Sequence, residues 1–315
     1  MNRLRAGGVA AALAGLAGLA GSRERARGIP FSPVNGGRRI GADFPERTGL
    51  SDEAAPTPTG EMDNFDAFAR PDFDTDRVAP DIRAFYEATS DYEMAYRTRW
   101  HRPFRTGARL AAPLTTHLQQ LNLPAPGDDG TRTLESRFVP IDPDADPRPG
   151  ARAWIRTDPD TGEAVFVALY AHHDAQNERF VNNADHRPAG SQTPERFVNN
   201  ADHRPAGSQT PERFVNIAAP LPGGNLSTVL HLESVATDSA RGDGVRLTTR
   251  APGDPGLYWV RDGAGFWLPM EQTFTVWPAD ASDAPDAPGD GAVVATHEMW
   301  LLGQKFLTVT YGIAR

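Results

Sequence analysis

The sequence predicts an α+β protein that is mostly β: a long antiparallel meander forming a strongly bent or barrel-like sheet, covered by a few N-terminal helices. Beyond Gly130 the apolar residues recur every second position, as in Leu307, Val309, Tyr311 and Ile313 set against Thr308 and Thr310. Turn-rich stretches such as DPDTGE, PLPGGN, RDGAG and LGQ separate these runs. A helical period is confined to residues 79–122. So long a meander leaves unpaired edges unless it curls or closes.

Taken in order, residues 1–21 (MNRLRAGGVAAALAGLAGLAG) join a basic start to a short run of small apolar residues. They outline a signal peptide or a membrane anchor, with a cytosolic helix as the other reading. Residues 22–76 keep no period and read as an irregular, disordered tether, or as an arm whose phenylalanines dock on the domain. Residues 77–315 form a single globular domain. In its helical part, 79–122, Pro80 suits a first turn and Ile82, Phe85 and Tyr86 share a face. Thr89, Ser90 and Asp91 then offer a cap for a second short helix carrying Tyr92, Met94, Ala95 and Tyr96. A third piece is expected to break at Pro113 and stop at Pro124.

The sheet spans residues 131–315 in eleven extended segments. Residues 164–172 are apolar on both faces, which predicts a central strand with cover outside. The unit ERFVNNADHRPAGSQTP occurs at 178–194 and again, letter for letter, at 195–211. Removing both joins YAHHDAQN to ERFVNIAAPLP, a strand, a turn and a strand. The repeats therefore read as a tandem insertion into a hairpin loop at 178–211, and carry no site. A second low-complexity loop occupies 280–291.

A net charge of -9 argues against nucleic acid as a partner, because phosphate binding needs a basic surface. With no cysteine there are no disulfides, thiolate nucleophiles or Cys-type metal centres. Neither a GxSxG elbow, a GxGxxG turn nor a Walker loop is present. No cofactor is expected.

Two sets of residues offer a site. Phe166, Tyr170, Trp259, Trp267, Phe274 and Trp300 belong to an aromatic concentration in the sheet region. On a curled sheet some of these line a concave side able to hold an apolar molecule, the alternative being that they simply fill the core. His172, His173, His231 and Glu233 lie near strand ends and form a metal site if neighbouring strands bring them together. His297 and Glu298, adjacent on one strand, point to opposite faces if that strand is regular.

The leading expectation is a non-enzymatic, envelope-associated or exported protein binding an apolar or amphipathic small molecule, its N-terminus meeting the membrane. A metal-dependent enzyme and an interaction module are the alternatives, as is a cytoplasmic location.

Overall fold

A computed structural model of the chain describes residues 23, 25–128, 130–175 and 211–315. Residues 1–21 and the paired repeats, apart from Pro211, lie outside the described residues.

Helix α1 (Phe44–Arg47) is a single turn, α2 (Pro80–Glu87) starts on Pro80, and α3 (Arg105–Leu118) follows the first strand. The strands are β1 (Glu93–Trp100), β2 (Arg132–Pro140), β3 (Arg152–Thr157), β4 (Ala164–Asp174), β5 (Arg213–Leu221) and β6 (Gly224–Val235). They continue with β7 (Gly244–Thr248), β8 (Gly256–Arg261), β9 (Ala264–Leu268), β10 (Met270–Pro278), β11 (Val293–Leu301) and β12 (Gln304–Ala314). Every pairing between them is antiparallel, in the order β5-β4-β3-β2-β1-β12-β11-β10-β7-β6, and β6 pairs back onto β5. The sheet thus closes as a ten-strand barrel. The first half of β6 also carries the β8–β9 hairpin on the edge that its second half gives to β7. Closure removes the edges that an open meander would expose.

All eleven segments with a two-residue period are strands. The twelfth, β1, falls where a second helix is expected. Met94, Tyr96 and Thr98 are buried in alternation with more exposed neighbours, so EMAYRTRW follows a strand period, and pairing with β12 over its whole length fixes it. Nor does Pro113 break its helix: α3 runs through it and ends at Gln119, whose φ of 51° is left-handed.

Inward side chains form the main core. One end of the barrel is covered by α2, through Ile82, Phe85 and Tyr86, and by a 3-10 turn at Phe65–Phe68. Outside, the expectation of a disordered tether is corrected. Val34, Ile40 and Phe44 pack on the outer faces of β3, β4 and β5 at Ile155, Val167, Leu169 and Ala218. Ile29 and Phe31 cover Phe214, Val229, Tyr258 and Val260. Polar bonds fix this arm: Asn225 Nδ2 donates to the carbonyls of Ser32 and Val34, and the Ser32 hydroxyl donates to Asp146 at 2.7 Å. Asp146 in turn forms a fully buried pair with Arg148, which also donates to Asn216 and to the Leu169 carbonyl. The arm offsets its ordering entropy by packing on a finished sheet rather than by a core of its own. It is also why β4 is apolar on both faces: one faces the barrel interior, the other the arm.

β4 and β5 pair up to Asp174 opposite Arg213, and Ala175 N–H bonds the Glu212 carbonyl at 2.7 Å. The segments flanking the repeats are therefore the two arms of one antiparallel pair.

Candidate ligand cavity

The interior is not filled. Phe166, Phe274, His297, Met299 and Tyr311 all point inward yet remain only half-buried, because they border a cavity. That cavity holds about 900 Å³ of space between atoms, its open mouth included. A second chamber of about 510 Å³ lies toward α2 and shares Arg156, Tyr170, Ile217, Phe274 and Tyr311 with the first.

Strand irregularity shapes the wall. Arg156 pairs with Phe166 while Thr157 pairs with Ala164, so Val165 is an extra residue in β4 and both Val165 and Phe166 border the cavity. At the mouth, Leu121 and Leu123 come from the segment after α3. Asn122 N–H bonds the Val165 carbonyl at 2.8 Å and holds that segment against β4.

Few polar groups interrupt this surface. His297 Nε2 donates to Gln272 Oε1 at 3.0 Å, and its ring stacks on Phe274 with centroids 3.6 Å apart. Burial, and secondarily the charge of Arg156, holds its pKa well below the usual histidine value, so the ring is neutral at pH 7. Glu298 points outward and bonds Lys305. Burial raises the tyrosine hydroxyls of Tyr170 and Tyr311. Glu61, from the arm, is pushed up to about 7 by burial, against the pull of Arg156 and Arg152.

Arg156 is 8% exposed. Its guanidinium carbon lies 4.3 Å from the Trp154 ring centroid and 4.5 Å from that of Phe166. Its Nε has no hydrogen-bond partner.

Of the six predicted aromatic residues, Phe166, Tyr170 and Phe274 line the cavity. Trp259 shares a strand face with Leu257, which reaches the cavity, but packs instead over Gly224, where an added Cβ would stand 2.7 Å from its ring. Trp267 packs with Phe31 and Tyr258 outside, with Arg25 4.9 Å from its ring. Trp300 follows a register shift in β11 and lies between Arg250 and Lys305, outside the cavity. Arg156, Gln272, Met299 and Glu61 were not singled out by the sequence; the alternation of Trp154 with Arg156 is the signal that places the arginine beside the aromatic face.

The structure does not bring the four predicted metal ligands together. His173 is buried between Asp254 (3.3 Å) and Asn216 (3.3 Å). His172, on the opposite strand face, lies near Asp63, Arg152 and Arg213. His231 bonds Glu212 at 2.5 Å and Arg70 at 2.9 Å, while Glu233 pairs with Arg246 at the surface. Among the described residues no group of three or more His, Asp or Glu side chains is placed to hold a metal ion.

No family model matches the chain, and no solved structure matches it. A similar curated protein is YndJ of Bacillus subtilis (strain 168), named an uncharacterized membrane protein. The two are 28% identical over 283 residues, which make up 90% of this chain and 43% of YndJ. The chain therefore spans less than half the length of that relative. Among the described residues no helix is long and apolar enough to cross a membrane. The barrel has an apolar interior and outward charges at Arg97, Arg99, Glu135 and Arg137, the reverse of a spanning barrel with a lipid-facing apolar band.

Proposed function

We propose that the barrel is a non-enzymatic binder of an apolar or amphipathic small molecule, working at a membrane surface. The observation that supports it is the set of inward, half-buried aromatic and apolar side chains around an unfilled interior. A core that served packing alone would close over them, because unfilled apolar space costs contact energy.

The surface part of the reading rests on α3. Most of this helix is exposed, with Leu110 and Leu114, four residues apart, 78% and 58% exposed. A helix of this length is marginal in water without a packed face. From Met94 to Gly127 there is no acidic residue but five arginines, in a chain of net charge -9. Phe104 and Trp100 pack on Phe306, and Leu121 and Leu123 follow α3 to the cavity, so the helix stands at the mouth. That combination suits an anionic lipid surface.

The test of the cavity is titration of the full chain with the uncharged probe N-phenyl-1-naphthylamine, alongside a Met299→Trp variant that fills the chamber. Saturable one-to-one uptake is expected in the wild type and its loss in the variant, with the folded state intact in both. Absence of saturable uptake, or equal uptake by the filled barrel, would refute the reading.

A further inference from the structure

An arginine inside an apolar barrel needs a reason, since burying an uncompensated charge costs far more than burying a paired one. Arg156 does not serve as a lid contact or a surface ion pair. The guanidinium carbon lies over the rings of Trp154 and Phe166, and its N–H donors point along the in-plane edge. On that edge Nε is unpartnered, and among the described residues no carboxylate lies within 4 Å of the guanidinium. Glu61 is an acidic side chain close enough to feel the charge of Arg156, but that group is about half protonated at pH 7 and gives only a partial countercharge. Glu271, at the mouth, is already bonded to Arg250. Arg156 lines both chambers, so a ligand in either one meets its side chain.

We propose that Arg156 is an anion anchor, and that the cavity takes a single-chain amphiphile whose carboxylate sits on the guanidinium, its hydrocarbon chain running past Phe166, Phe274 and Met299 toward the mouth. This rests on the cavity reading above and names its ligand class. A guanidinium presents pairs of parallel N–H donors, which match the two oxygens of a carboxylate. The Tyr170 hydroxyl, kept protonated by burial, accepts a hydrogen bond from Arg156 and keeps its own O–H to donate to the same carboxylate.

The experiment compares decanoate with decanol by calorimetric titration of the full chain at pH 7, in wild type, Arg156→Gln and Arg156→Lys. Decanoate is expected to bind wild type at least about tenfold more tightly than decanol, the scale of a charge-assisted bidentate contact. R156Q removes that preference while leaving decanol affinity within about twofold, and R156K recovers part of it, because a point charge replaces a planar fork. Equal binding of decanoate and decanol by the wild type overturns the proposal and leaves the cavity reading standing. So does a parallel loss of both ligands in a folded R156Q, which marks the arginine as structural. Failure of both molecules to bind the wild type removes the cavity reading and the anchor with it. Should R156Q not fold, the wild-type comparison decides.

Discussion

The side-chain amide of Gln120 bonds both backbone groups of Val167: Oε1 accepts its N–H at 2.9 Å and Nε2 donates to its carbonyl at 2.8 Å. The same Nε2 donates to Pro220 at 3.0 Å. Below Leu169 opposite Ala218, β4 and β5 no longer pair, and Gln120, itself fully buried, fills the gap between them. The wall is continuous there because a side chain stands in for a strand.

Replacing Gln120 by Ala strands one N–H and two carbonyls in a dry seam. A loss of about 3 kcal/mol is expected in urea unfolding of Q120A, given that each buried unpaired group costs roughly 1–3 kcal/mol. A loss below about 1 kcal/mol, the size of an ordinary exposed bond, would mean that water takes the place of the amide.

Glu61 predicts a pH dependence of definite sign. Below its ordinary pKa of 4.5 the folded and unfolded chains both hold the proton; between 4.5 and about 7 only the folded chain does. This group's contribution is therefore most favourable in acid, declines as pH rises through that window and levels above it. His297 acts oppositely, since its depressed pKa makes folding less favourable as pH falls below the ordinary histidine value. The clean measurement is the difference between wild type and Glu61→Gln. The two should match below about pH 4, with E61Q the more stable at pH 8 by at most about 3 kcal/mol. A pH-independent difference would show that Glu61 ionises normally.

Leu110→Ser with Leu114→Ser tests the helix at the mouth. The double variant should lose sedimentation with phosphatidylglycerol vesicles while its unfolding free energy moves by no more than about 0.5 kcal/mol per site, as at other exposed positions. Wild type should leave pure phosphatidylcholine vesicles unbound. Binding to both vesicle types, or a double variant that binds as before, would count against the surface reading.

Removing residues 178–211 joins the two arms of the β4–β5 pair, already tied by the Arg213 and Asp174 side chains at 2.7 Å. The melting temperature is expected to stay within a few degrees, since loop length enters stability only logarithmically. A collapse of the fold would show that the repeats support the barrel.

Much of this architecture was legible. Alternation identified every strand after Gly130, and edge avoidance pointed to closure. The helix expected around Tyr92 to Tyr96 was misread because four apolar residues in five suit either period; continuing to Thr98 and Trp100 favours a strand. The cavity was half legible for a physical reason. Alternation says which residues share a face, but β3 and β4 are covered on both, so nothing in ARAWIRT separates the side of Trp154 and Arg156 from the side of Ala153 and Ile155. Trp259 and Trp267 sit on the β8–β9 hairpin outside the closed ring, which only the pairing order reveals. Glu61 reaches the interior from a segment with no period at all.

Closure of the barrel joins β1 to β12, opposing Glu93 to Ala314, while Phe31 packs on Tyr258 and Gly36 bridges to Pro222. These earlier segments thus wait for partners made roughly two hundred residues later. Contacts so distant in sequence make for slow folding, because loop closure precedes any gain from pairing. The ring has no closed form until its last strand is made, and until then its inward faces and β1 are open to other chains.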